Sequence, residues 1–236
     1  MQRHFDHIET LVEVSDVLTY VRDQAIKVGA ARMSYHVTPA FNQQNSLTAA
    51  VYAHGFSAEW LALYAEEEFR LTDPIPERVM EFGSLMTWQD AMDWQPNSEE
   101  QAAYFARMKE YGLIHGFGLP LYGRNAKDAY ASFDFLKHVD DVAPEAIGLV
   151  RSISQVAHQR VVILAEHKSN APNLSDREVE VLTWAARGKS NSAIATILDI
   201  SPDTAKTYSK RIYAKLEVSD RVGAVVKALR MGLVKV

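Results

Sequence analysis

Two groups of side chains have the types and spacing to do chemistry. Trp60 and Tyr64 lie four apart, so on a helix they share a face, and Asp73 follows in an Asp-Pro turn. Trp88 comes later, after the strand-like stretch Ser84 to Thr87. Indole and phenol rings are apolar bodies with hydrogen-bonding tips. With one carboxylate among them they could line an apolar pocket around a polar head group. The same residues would also serve as a hydrophobic core, with Asp73 capping a turn. The second group is Thr204, Lys206, Thr207, Lys210 and Arg211, which put donors along one side of a helix whose other side carries Ala205, Tyr208, Ile212 and Leu216. Lys and Arg near a helix start can pair with guanine acceptors in the major groove. A helical bundle with a solvated charged face would leave the same pattern.

Other chemistries have no foothold. The chain has no cysteine, which removes disulfides, zinc ribbons, thiol nucleophiles and iron-sulfur ligation. Its histidines are scattered, with no His-Glu-x-x-His, no Gly-x-Ser-x-Gly and no glycine-rich phosphate loop. His4 and His7 share a helix face near the terminus, where packing or solvation is the ordinary role. A phosphorylation receiver needs acidic residues clustered at strand ends early in the chain, whereas Asp6 and Glu9 fall on a helix. The expectation is a protein that is not an enzyme and has neither a metal nor a cofactor.

The elements that must position these groups form two domains. With 236 residues, 47% of them hydrophobic, the chain can bury a core in each. The polar, proline-containing stretch Glu166 to Asn173 reads as a linker between domains at 1–165 and 174–236. The charge divides there too. From Leu174 onward eleven basic side chains face seven acidic ones, a balance of +4, while the first 173 residues carry −9. A basic module on an acidic body suits a polyanion such as DNA, and suits an ordinary solvated surface equally well. No apolar run approaches the ~20 residues of a membrane span, so a cytoplasmic protein without a membrane partner is expected.

The first domain mixes periods. Helices are expected from His4 to Leu18, Thr19 to Val28, Ser57 to Phe69, Ser98 to Tyr111 and Pro144 to Ala165. Strands are expected at Met33 to Val37, Leu47 to Ala53, Gly116 to Tyr122 and Tyr130 to Leu136, the last two joined through Gly123 to Asp128. This predicts an α+β fold, an α-β-α sandwich around an antiparallel sheet. The second domain reads as four short helices. Ser175 and Glu178 form a capping box, Gly188 ends the first helix, Asn191 or Ser192 starts the second, and Ser201-Pro202 opens the third, which runs to Leu216. Two short helices joined by a tight turn, the second basic on its outer face, make a helix-turn-helix.

At this point two resemblances enter. Leu174-Ser-Asp-Arg-Glu178, Gly188-Lys-Ser-Asn191, Ile200-Ser-Pro-Asp-Thr204-Ala-Lys206-Thr and Arg221 to Leu233 resemble the LuxR-type helix-turn-helix of bacterial regulators. Ala205, Tyr208 and Glu217 depart from it, standing where Val, a polar residue and Gly are common. The order Trp60, Tyr64, Asp73-Pro74 and Trp88, with Gly112 to Leu121 following, resembles the acyl-homoserine-lactone-binding domain of quorum-sensing LuxR-type receptors. The resemblance implies that Trp60 donates to the lactone carbonyl, Asp73 accepts the amide N–H, Tyr64 and Trp88 pack the head group, and Ser132 reaches the acyl carbonyl. Phe56 stands where many members have Tyr, so either that carbonyl is left to Ser132 or a water, or the acyl group is a different one. Met33, Tyr35, His36, Ala50 and Ile75 are expected to set the volume left for the acyl chain. Asn191, Thr204, Lys206, Thr207, Lys210 and Arg211 become the expected DNA-contacting set.

The function expected is a ligand-dependent transcriptional regulator that binds an acyl-homoserine lactone as autoinducer and a promoter DNA site. It would act as a homodimer through Ile147, Val150, Ile153, Val156 and Val161 on the long helix. The competing reading is a ligand-independent DNA-binding regulator whose first domain only dimerises or docks a protein partner.

Overall fold

The computed structural model describes residues 1–37, 51–66, 69–168 and 172–234. They divide into two compact units, Met1–His167 and Lys168–Val236, each with its own hydrophobic core. Among the described residues no helix is long and apolar enough to cross a membrane.

The first unit is built on an antiparallel sheet in the order β2-β1-β5-β4-β3, formed by β1 (Arg32–Val37), β2 (Val51–His54), β3 (Met86–Thr87), β4 (Phe117–Leu121) and β5 (Ala129–Asp134). Residues 47–50 of the expected second strand lie outside the described residues. Strand alternation gives the sheet two different faces. Met33 and Tyr35 of β1, with Leu119, Ala131 and Phe133, pack against α2 (Val14–Lys27) and α8 (Pro144–Lys168) in one core. Ser34, His36, Tyr130 and Ser132 fall on the other face, which is covered by α3 (Ala58–Glu66), α4 (Phe69–Thr72), α5 (Ile75–Phe82), α6 (Trp88–Asp93) and α7 (Glu99–Glu110). Helices therefore flank the sheet on both sides, an α-β-α sandwich as expected.

Three sequence expectations need correction. The first helix does not run from His4 to Leu18: α1 (Gln2–Thr10) ends at an extended Leu11, and α2 begins after Glu13, also extended. Val12, which completed the apolar period, is 65% exposed and belongs to no buried stripe. Met33 and Tyr35 do not line the ligand side, because they alternate with Ser34 and His36 and point to the opposite core. The apolar stripe of α8 is not a free dimer surface. Val150, Ile153 and Val161 are buried in the core of their own unit, and Ile147 and Val156 pack against it.

A buried polar strut crosses that core. The Tyr35 hydroxyl lies 2.8 Å from Nδ1 of His158 on α8, and His158 Nε2 lies 2.7 Å from the Lys127 carbonyl in the β4–β5 connection. A carbonyl only accepts, so Nε2 carries the hydrogen and Nδ1 accepts from Tyr35. Burial lowers the His158 pKa, which keeps the ring neutral.

The second unit consists of α9 (Asp176–Ala186), α10 (Asn191–Leu198), α11 (Pro202–Leu216) and α12 (Arg221–Arg230) around Leu182, Ile194, Ala205, Ile212 and Leu216. Each helix start has a side-chain cap. The Ser175–Glu178 capping box opens α9, Ser190 caps α10, Ser201 caps α11 with Pro202 at its first position, and Asp220 caps α12. The tight turn before α11 bends through Asp199, at φ 53°. Glu178 is buried, and its carboxylate binds the Ser175 N–H at 2.8 Å and Lys215 Nζ at 2.7 Å. Burial alone would raise the Glu178 carboxyl, but Lys215 and Ser175 outweigh it and hold it below the usual range. Lys215 also donates to the Asn173 carbonyl, so the last turn of α11 is tied to the residues that lead into α9.

Candidate functional site

Between the sheet and helices α3 to α7 lies a pocket that is partly open to solvent. Of the residues expected at the ligand, Phe56, Trp60, Tyr64, Asp73, Ile75, Trp88, Ser132 and His36 line it, and Met33 and Tyr35 do not. Ala50 lies outside the described residues.

The helices hold these side chains by ordinary means. Ser57 caps α3 by accepting from the Trp60 N–H at 3.1 Å. That start places Trp60 and Tyr64 on the inward face, with ring centroids 6.0 Å apart. The Trp60 ring is closed in by Tyr111 at 5.5 Å, Tyr104 at 6.1 Å and Phe69 at 6.2 Å. Asp73 leads into α5, where its Oδ1 accepts from the Ile75 N–H at 2.9 Å and its Oδ2 from the Tyr64 hydroxyl at 3.1 Å. It therefore both caps a turn and presents a carboxylate to the cavity. Burial raises its pKa to about 6, against the pull of Ile75, Tyr104, Tyr64 and the Arg78 charge.

Trp88 begins α6 and lies against Gly116, where a Cβ would overlap the six-membered part of the indole. Gly118 makes the same allowance for the Tyr130 ring. The two glycines of the Gly116-Phe-Gly118 stretch are needed for close approach, and they bring the Trp88 indole N–H to 3.4 Å from the Tyr130 hydroxyl. Behind the cavity, the buried Arg78 donates to the Ala91 carbonyl at 2.6 Å and to Gln101 Oε1 at 3.4 Å, and its guanidinium lies 5.8 Å from the Phe105 ring centroid. It ties α5 to α6 and α7.

On the second unit α11 presents Lys206, Thr207, Lys210 and Arg211 as exposed side chains, while Ala205, Ile212 and Leu216 are buried and Tyr208 is half-buried. The other two expected contacts are partly engaged. The Thr204 hydroxyl lies 2.8 Å from that of Ser201 in the cap, and Asn191 Oδ1 accepts from the buried Ser209 hydroxyl at 3.3 Å.

The autoinducer binding domain family matches residues 13–161, and the luxR family of bacterial regulatory proteins matches residues 172–228. The chain belongs to the LuxR family of autoinducer-binding regulators. RpaR, a quorum sensing-dependent transcriptional regulator of Rhodopseudomonas palustris, is 32% identical over 184 residues, 78% of this chain and 74% of that one. The transcriptional activator protein EsaR of Pantoea stewartii subsp. stewartii is 27% identical over 238 residues, 94% and 93% of the two chains. The crystal structure of Escherichia coli SdiA, at 20% identity, shares the fold with a TM-score of 0.73 over 96% of this chain and 94% of that one. This LuxR-family chain is a ligand-dependent transcriptional regulator, with an autoinducer-binding domain followed by a helix-turn-helix DNA-binding domain.

Sequence reasoning on this regulator missed Ser34, Tyr104, Met108, Leu113 and Tyr130, which also line the cavity. For Ser34 a signal existed, since it sits two residues from His36 on one strand and so shares its face. Tyr104 and Met108 are four apart on α7, which marks a common face but not what that face meets.

Proposed function

We propose that the ligand is an acyl-homoserine lactone enclosed in the cavity, and that its binding controls how α11 of a cytoplasmic homodimer engages promoter DNA. The observation that carries the reading is the Asp73 carboxylate, held by Tyr64 and Ile75 inside an aromatic cage that includes Trp60 and Trp88. A carboxylate has about four acceptor positions, so beside the donors it already has Asp73 can accept an acyl amide N–H. In this arrangement Asp73 accepts the amide N–H, the Trp60 indole donates to the lactone carbonyl, and Tyr64 and Trp88 pack the ring. Phe56 cannot donate, so the acyl carbonyl falls to Ser132. One missing bond is worth on the order of 1 kcal/mol, which tunes affinity without abolishing it. A ligand closed over in this way stabilises the folded state by mass action. A two-fold dimer would present paired α11 helices to half-sites about one DNA turn apart.

Calorimetry of the purified protein against a panel of acyl-homoserine lactones, with mass spectrometry of small molecules extracted from it, tests the reading. Binding is expected, with loss of affinity in Trp60→Phe and Asp73→Ala. A folded protein that binds none of the panel and gains no thermal stability from it refutes the proposal. Lys210→Ala and Arg211→Ala are expected to weaken operator binding and its salt dependence while leaving ligand affinity unchanged. Loss of ligand binding in these two would contradict the division of labour.

A further inference from the structure

The cavity floor carries a polar row that the lactone head group does not use. Ser34 of β1 and Ser132 of β5 are register partners, and their hydroxyl oxygens lie 2.7 Å apart. His36 Nε2 lies 2.9 Å from Ser34 Oγ. All three line the cavity and none is more than 6% exposed. The imidazole is fixed edge-on between Tyr64, at 6.4 Å, and Tyr130, at 5.5 Å between ring centroids. The row is not needed to join the strands, since the backbone ladder already pairs β1 with β5 over Arg32 to Val37. The opposite face of the same strands carries Met33, Ala131 and Phe133 in an apolar core.

We propose that the cavity is built for an acyl group bearing a hydroxyl or keto oxygen of its own, read by His36 and Ser34 alongside Ser132. The proposal rests on the acyl-homoserine lactone reading above. In that reading the amide carbonyl is a single acceptor and engages Ser132, while Ser34 and His36 extend the row beyond it. A plain alkyl chain laid over them offers the row's remaining lone pairs no hydrogen bond, whereas a second oxygen on the acyl group does. A serine hydroxyl with two partners still offers a lone pair, and its hydrogen can swing to a new acceptor, so the row can serve a hydroxyl or a keto oxygen. Sites built to hydrogen-bond a ligand reject the analogue lacking that group far more strongly than apolar pockets reject a lost methylene.

Calorimetry on the full-length protein with octanoyl, 3-oxo-octanoyl, 3-hydroxyoctanoyl and 8-hydroxyoctanoyl homoserine lactones tests it and locates the oxygen. At least one oxygenated lactone is expected to bind about tenfold more tightly than plain octanoyl. Ser34→Ala and His36→Leu should each shrink that ratio to about threefold or less, and His36→Gln should restore part of it. Should His36→Leu fail to fold, Ser34→Ala and His36→Gln make the same comparison. If plain octanoyl binds as tightly as all three oxygenated lactones, or if the variants weaken all four alike, the inference is overturned while the lactone reading stands. If a folded protein binds none of the four, both fall.

Discussion

Lowering the pH from 7.5 to 5 tests Asp73 directly. In the unliganded protein its pKa stands at about 6, raised mainly by burial. Tyr64, Tyr104 and Arg78 face it, and none of them changes charge in this window. Burial places the folded value above the unfolded 3.8, so the proton stabilises the empty fold. That contribution is complete below the unfolded value and is lost as pH rises through 6. The proposed lactone works in the opposite sense. Its amide N–H favours the carboxylate, so binding expels the proton and is strongest above pH 6. At pH 5 about one empty protein in eleven has Asp73 ionised, which weakens binding about tenfold, roughly 1.4 kcal/mol. His36, held neutral by a pKa lowered to about 4, adds little over this range. Calorimetry from pH 5 to 7.5, in two buffers of different ionisation heat, reads both the affinity and the released proton. Asp73→Asn should bind more weakly at pH 7.5 and lose most of the slope. A dissociation constant that stays flat across the window, or a slope that survives in Asp73→Asn, would refute the assignment.

Two further outcomes follow from backbone and packing. Glu217 caps the C-terminus of α11 at φ 52°, a left-handed conformation that disfavours side chains, and its negative charge opposes the helix dipole. Glu217→Gly is therefore expected to stabilise the DNA-binding unit by about 1 kcal/mol, raising its unfolding temperature by roughly 4–8 °C in calorimetric scans. Gly116→Ala forces a Cβ into the Trp88 ring, so it should cost about 1–3 kcal/mol of stability in the first unit, read by denaturant unfolding. It should also weaken lactone binding as Trp88 leaves Tyr130.

Much of this was legible in the sequence. The caps at Ser57, Ser98, Ser175 and Ser201 depend on residues within three positions of each other, and local spacing is what a sequence displays. The cavity residues Trp60, Tyr64, Asp73 and Trp88 were found as an ordered set. Composition does not show which parity of β1 faces the cavity: a strand sends neighbours to opposite faces, so Met33 and Tyr35 enter one core and His36 the other side. Tyr104 and Tyr130 reach the cavity from α7 and β5, and only the sheet register and helix packing bring them beside Asp73. The apolar period of α8 revealed a buried face but not its partner, which is the protein's own sheet. The left-handed Glu217 explains in backbone terms why Gly is common at that place in the family.

Strand β1 divides its side chains between two chambers, Ser34 and His36 toward the cavity and Tyr35 toward His158 on α8. Natural variation can therefore edit taste without touching the scaffold. Exchanges at 34, 36 and 132 would change the cavity lining while leaving the Tyr35–His158 strut and the core behind it in place.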